Sequence, residues 1–254
     1  MASITKAYVF LSNDDSSVWS LAKFKTKELL DIDDKMLFEY KIDDILASGI
    51  KDITFILNSN KDIFMSMIEK VERYKDFEFK FMVDDVVNSP MDALFLIRKS
   101  GLKEAFFFTT LDDLVIGASD SVTKQIIKSY SFVKDMILGG ETATGNATWR
   151  YDIIVPDYEM AFLSFLVKVK EVIPYNPSME MHNKVGMVKR WVLTPLFLDF
   201  IDQHKYDYIG MAEFLTAYIK TKKRVFVCFY QGKVFDISTV LGYETAKNYF
   251  ITKK

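Results

Sequence analysis

The sequence predicts an α/β protein: a Rossmann-like, mostly parallel sheet with helices on both faces. Short apolar runs rich in aromatic and β-branched residues recur at Lys6–Leu11, Ile53–Leu57, Phe77–Val83 and Ala105–Thr110. Between them lie segments whose apolar residues repeat at helical spacing. The connections are short, and strand–helix–strand crossovers of this kind build parallel strands covered on both sides.

Each element has a local reason. Lys6–Leu11 is a buried strand followed by turn-forming residues at Ser12–Ser17. Leu37, Phe38, Ile42, Ile45 and Leu46 mark one helix face, and Gly49 stands where a C-terminal glycine cap belongs. Ile63, Met67, Ile68 and Val71 mark a second helix between the strands Ile53–Leu57 and Phe77–Val83. Pro90 suits the first turn of a helix through Arg98, with Gly101 beyond its end. Ala105–Thr110 is the fourth strand and runs into Leu111-Asp112-Asp113. After Gly117 the periodicity is less regular. Gly139–Asn146 and Pro174–His182 read as loops, Pro195–His204 and Met211–Thr221 as helices, Arg224–Tyr230 as a strand and Leu241–Phe250 as a closing helix. In parallel sheets ligands bind at the carboxyl ends of strands, so Ser12–Ser17 and Asp112/Asp113 are expected to line one crevice.

Composition narrows the function classes. The 254 residues suit one domain spanning 1–254, without repeats, low-complexity tracts or an obvious linker. A net charge of −2 gives no basic surface for nucleic acid. The first residues lack the apolar core of a signal peptide, and no apolar run approaches the ~18 residues of a membrane span, so the expectation is a soluble cytoplasmic protein with no membrane contact. The single cysteine, Cys228, lies in an apolar run and is expected to be a buried strand residue. His182 and His204 have no metal-ligand spacing around them. Glycine is scarce, 10 residues where ~7% is usual. That bears on phosphate binding, because glycine lets a backbone approach a ligand closely.

Four ordered stretches carry a family resemblance. Lys27-Glu-Leu-Leu-Asp-Ile-Asp-Asp-Lys-Met-Leu37 is similar to K-E-M-L-P-I-V-D-K-P-L, and Leu111-Asp-Asp-Leu-Val115 to P-D-D-L-I. Lys189-Arg-Trp-Val-Leu-Thr-Pro195 is similar to G-R-Y-V-L-T-P, and Val234-Phe-Asp-Ile-Ser-Thr-Val-Leu-Gly-Tyr243 to W-F-D-I-G-x-x-L-G-Y. Over nearly its full length the chain thus resembles the bacterial UTP–glucose-1-phosphate uridylyltransferases, of nucleotide-diphospho-sugar transferase fold. The resemblance implies that Lys27 contacts phosphates and that Asp236, with one of Asp112 and Asp113, holds Mg²⁺. It implies attack of a sugar phosphate on the α-phosphorus of UTP, with UTP and UDP-sugars as ligands. Two carboxylates can bind a hard dication that bridges phosphates, and a lysine can neutralise developing charge.

The departures fall on the positions that the resemblance makes functional. Asn13, Asp15 and Ser17 stand at the two glycines and the arginine of G-x-G-T-R. A carboxylate ~5 Å from a phosphate charge costs about 3 kcal/mol at an effective dielectric near 20. Asp84 stands for a glutamine at the base site, and Ser89 and Met91 for the two glycines of G-L-G-H-A. Arg150-Tyr-Asp152 is similar to R-Y-G with aspartate for the glycine, and Tyr175-Asn-Pro177 matches E-K-P without its lysine. The expected nucleotide- or sugar-side residues are therefore Asp84 and Arg150. The expectation is a degenerate homologue, a pseudoenzyme that binds, regulates or scaffolds, with a protein partner or self-association. One alternative is a divergent active uridylyltransferase using Lys27, Asp112 or Asp113, and Asp236 with Mg²⁺. Another is an unrelated α/β interaction protein, in which Asp112 and Asp236 lie far apart. Structural roles compete at each site: Lys27 as a surface lysine, Asp112/Asp113 as a turn pair, Asp236 as a cap. Lys189, Arg190 and the final helix are expected to be structural.

Overall fold

The computed structural model describes residues 4–11, 29–58, 62–143 and 150–252. In chain order the strands are β1 Lys6–Phe10, β2 Asp31–Ile32, β3 Lys35–Met36, β4 Asp52–Leu57, β5 Lys80–Val83, β6 Phe106–Thr110, β7 Asp113–Ile116, β8 Met136–Thr142, β9 Ile153–Leu163, β10 Leu166–Ile173, β11 Val185–Leu193, β12 Val225–Phe229 and β13 Lys233–Asp236. The helices are α1 Leu37–Ala47, α2 Asp62–Ile68, α3 Pro90–Lys99, α4 Val122–Val133, α5 Pro195–Gln203, α6 Met211–Lys220 and α7 Val240–Ile251.

Among the described residues, one large sheet runs β5-β4-β1-β6-β11-β8-β12-β10-β9. The four strands read from the first half of the chain are neighbours and parallel, as expected. Strand β11 runs antiparallel between β6 and β8, and β8 then pairs parallel with β12. The strand order ends in an antiparallel hairpin, β9 against β10, and the start of β9 also pairs antiparallel with β11. Along outer β9, Tyr158, Met160 and Phe162 alternate at the surface as exposed apolar residues.

The local signals act as read. Helix α1 ends at Ser48 with Gly49 at φ +93°, and α3 ends before Gly101 at φ +77°. At the start of α3, Ser89 Oγ accepts from the Asp92 amide at 3.2 Å, and Pro90 follows in the first turn. Alternation in Phe106–Phe108 sends Phe106 and Phe108 into one apolar layer and Phe107 into the other, each fully buried. Burying each such ring contributes roughly 1.5–3 kcal/mol. Cys228 is buried, accepts from Ser129 Oγ at 3.1 Å, and has its thiol pushed up to about 11 by burial.

Three readings are corrected. The strand read at Phe77–Val83 begins only at Lys80, because the Phe77 amide closes a turn onto the Tyr74 carbonyl at 2.9 Å. The loop read at Gly139–Asn146 is strand through Thr142, while residues 144–149 lie outside the described set. The glycines there serve packing: a Cβ on Gly140 would stand 2.3 Å from Val227 Cγ2, and one on Gly139 would stand 3.0 Å from the Arg190 carbonyl oxygen. The irregular stretch after Gly117 contains α4 and the strands β8 to β11. Its glycines and the mixed polarity of the edge hairpin hide the strand period.

A short ribbon, β7 against β13, sets Asp113 opposite Asp236. It packs with Ile32, Leu37, Tyr243 and Ala246 in a separate apolar cluster. Two stretches that carried the resemblance, Lys27–Leu37 and Val234–Tyr243, therefore meet, with Tyr243 Oη donating to the Asp31 carbonyl at 2.7 Å. Gly242 has a physical reason here, since a Cβ would stand 1.8 Å from the Asp236 carbonyl oxygen.

Candidate functional site

Strand β6 ends at Thr110, and the chain turns through Leu111 and Asp112 into β7. Asp112 and Asp113 part company, meeting Lys189 and Arg190, neighbours on β11, respectively. Lys189 Nζ donates to Asp112 Oδ2 at 2.8 Å, beside a cleft of about 260 Å³. Met187, Lys189 and Trp191, two residues apart, line that cleft with Met91, Arg150 and Asp152. Arg190 faces the other way. Its Nε donates to Asp113 Oδ1 at 3.0 Å and its Nη1 to Asp44 Oδ2 at 2.8 Å.

Behind the cleft this becomes a buried charge network. Lys41 Nζ donates to Asp113 Oδ1 at 2.7 Å and to Thr109 Oγ1 at 3.2 Å. Asp44 also accepts from the Val122 and Thr123 amides at the start of α4, at 2.7 and 3.2 Å. Burial, with Arg190 beside it, pushes the Lys41 amine down to about 8, against the pull of Asp113. Burial opposes charge on Arg190 too, yet Asp113 and Asp44 hold its guanidinium charged. Lys189 is also held charged: burial disfavours its cation, but Asp112, Asp236 and Asp113 together more than offset that.

Asp236 joins the same group. Its Oδ1 accepts from the Ser238 amide at 3.1 Å and Ser238 Oγ at 2.6 Å, and its Oδ2 from the Arg150 amide at 3.2 Å. The Ile237 amide donates to the Asp112 carbonyl at 3.0 Å. Tyr151 lies among these carboxylates, its hydroxyl pushed well up by burial and then by Asp236, Asp113 and Asp112. Asp112 and Asp236 are thus brought together, which removes the reading that placed them far apart.

The other expected residues divide. Arg150 lines the cleft. Asp84 does not; its Oδ1 accepts from the Val86 amide at 3.1 Å in a turn after β5. Asn176 Oδ1 is likewise used locally, accepting from the Ser178 amide at 3.0 Å. Lys27, Asn13, Asp15 and Ser17 lie outside the described residues. Sequence reasoning missed Lys41 and Asp44. The available signal was a charge on the apolar face of α1, since Lys41 lies three residues after Phe38 and four before Ile45. It also missed that Lys189 faces the cleft.

Asp112, Asp113 and Asp236 are the carboxylates that Mg²⁺ would have to use. Carboxylates suit it, and Asp113 Oδ2 is buried without a hydrogen-bond partner. Yet Asp112 already carries the Lys189 ammonium, Asp113 carries Lys41 and Arg190, and Asp113 has no exposed side-chain surface. Among the described residues, no group of three or more His, Cys, Asp or Glu side chains is placed to hold a metal. The described site as it stands fits a dication poorly.

Glu141, on β8, borders this region. Its carboxylate accepts from the Val234 amide at 3.2 Å, and burial pushes it up to about 7 from an ordinary value of 4.5. A raised carboxyl value means that the unfolded chain gives up this proton first. The group therefore costs nothing below about 4.5, costs increasingly up to about 7, and costs fully above that. Glu141→Gln is expected to flatten the fall in stability over that window, read from urea midpoints at several pH values. An unchanged slope would refute the assignment.

The fold is a mixed α/β sheet with helices on both faces, with carboxylates at the end of a central strand, the fold shared by solved UDP-glucose pyrophosphorylases. Among solved structures, a UDP-glucose pyrophosphorylase complexed with UDP-glucose matches with TM-score 0.84 and 19% identity, covering 99% of this chain and 100% of that one. A UTP-bound UGPase from Acinetobacter baumannii matches at TM-score 0.79 and 15% identity, covering 99% and 94%. In sequence the chain is similar to a UTP–glucose-1-phosphate uridylyltransferase of Mycoplasma pneumoniae, 22% identical over 100% of this chain and 94% of the relative. It is also similar to one of Bacillus subtilis, 21% identical over 96% and 90%. No protein-family model matches the chain. The resemblance read from the motifs therefore extends over the whole length, at a divergence of about four residues in five. Among the described residues, no helix is long and apolar enough to cross a membrane.

Proposed function

We propose that this protein is a degenerate sugar-nucleotidyltransferase homologue that binds rather than turns over its ligands. Its role is regulatory or scaffolding, exercised on a protein partner or by self-association in the cytoplasm. The observation that carries this reading is the lining of the cleft. Ser89 and Met91, which stand at the two glycines of the base-side motif, are both in its wall, and Met91 is buried there. Side chains thus occupy space that glycines would leave for a base to approach the backbone. Asp152 stands in the same wall at the sugar-side glycine, and Asn176 spends its side-chain oxygen on its own turn.

A second reading is favoured by the grouping of Asp112 and Asp236 behind Lys189, which lines the cleft: a divergent uridylyltransferase making UDP-glucose or a related sugar nucleotide, with Lys27 on the phosphates. Calorimetric titration with UTP and UDP-glucose separates binding from its absence. Heat of binding to either ligand supports a nucleotide-sensing role. No heat with either removes the nucleotide from the reading and leaves a protein partner.

A further inference from the structure

Lys189, in the cleft wall, already sets a cation against the buried carboxylate behind it. Lys189 Nζ lies 2.8 Å from Asp112 Oδ2, and Asp112 and Asp236 are tied together by the Ile237 amide on the Asp112 carbonyl. The lysine is held in place by its strand. Its own carbonyl accepts from Thr109 Oγ1 at 2.7 Å, and β11 shifts register against β8 at this point, between Val188 and Trp191. The motif compared with this strand, G-R-Y-V-L-T-P, has glycine at position 189 and so no side chain on the cleft face. Here a four-carbon stem crosses that space and delivers an ammonium.

We propose that the Lys189 ammonium stands in for a divalent cation on the Asp112–Asp236 side of the cleft, so that phosphate-bearing nucleotides bind this chain without Mg²⁺. A lysine is a compact point charge with three donors, able to keep Asp112 on one side and meet a phosphate oxygen on the other. Its side chain lines the cleft and keeps 30% of its surface exposed. A dication placed beside it would meet a like charge a few ångströms away, in a partly desolvated site. The ligand half of the proposal rests on the cleft being a nucleotide site; the metal half does not.

Two measurements separate those halves. The first follows Mn²⁺ binding by electron paramagnetic resonance, for the unaltered protein, Lys189→Gly and Lys189→Met. Methionine keeps the apolar stem, so it guards against a folding defect in the glycine variant. The unaltered protein is expected to bind Mn²⁺ weakly, and both variants at least about tenfold more tightly. Adding Asp236→Asn to either variant should abolish the gain. Mn²⁺ binding that is equally tight with and without Lys189 would overturn the proposal, whatever the nucleotide does. The second titrates UDP in EDTA and in excess Mg²⁺. Equal affinity in the two, lost in Lys189→Met, is the expected result. UDP binding that needs Mg²⁺ would overturn the proposal but leave the binding role standing, whereas no UDP binding under either condition, with the Mn²⁺ result as expected, would defeat the nucleotide reading alone.

Discussion

Supplied with UTP, glucose 1-phosphate and Mg²⁺, the purified protein is expected to release pyrophosphate at or near background. Phosphoryl transfer draws its rate from preorganised positive charge and positioning, and losing one such contact commonly costs 10²–10³-fold. By sequence this chain lacks the arginine of G-x-G-T-R, read as Ser17, the two glycines read as Asn13 and Asp15, and the lysine read as Asn176. The structure adds two obstacles. Met91 fills part of the cleft wall, and the Lys189 ammonium already neutralises Asp112. Contacts of this kind are not additive, but several lost together bring turnover toward background. The triple change Asn13→Gly, Asp15→Gly and Ser17→Arg should not revive activity alone, because Met91, Lys189 and Asn176 remain. A coupled pyrophosphate assay decides the matter. Turnover of even ~1 s⁻¹, near the low end for working enzymes, would establish the divergent enzyme instead.

Asp113→Ala should cause a large loss of stability. The substitution leaves Lys41 and Arg190 buried and without the carboxylate they share at 2.7 and 3.0 Å. Breaking a buried pair by removing one partner typically costs about 3–5 kcal/mol, a large part of a domain's total. Lys189→Ala should cost less, because Lys189 is part-exposed and its loss leaves one buried carboxylate, Asp112, where Asp113→Ala leaves two buried cations. Replacing the whole buried group, as Lys41→Met, Asp44→Asn, Asp113→Leu and Arg190→Met together, should recover much of the loss, since no unpaired charge remains. Urea unfolding at constant slope measures all three. If Asp113→Ala shifts the midpoint no more than Lys189→Ala does, the network is not structural.

The amino-acid sequence by itself determined the parallel half of the sheet. Strands such as Phe106–Thr110 are continuous apolar runs, and their helices are bounded by Ser89, Pro90, Gly49 and Gly101, signals that act within a few residues. It also determined the degenerate motifs, because those are statements about residue type at a position. Tertiary structure alone decided the rest. Gly139 and Gly140 look like loop residues until Val227 and the Arg190 carbonyl are seen against them. Asp112 and Asp113 are indistinguishable in sequence, yet the turn from β6 into β7 sends one to Lys189 and the other to a buried network with Lys41, 72 positions earlier in the chain. Alternation along β11 separates Lys189 from Arg190. Which charge meets which depends on pairings between distant strands, and no local signal carries that information.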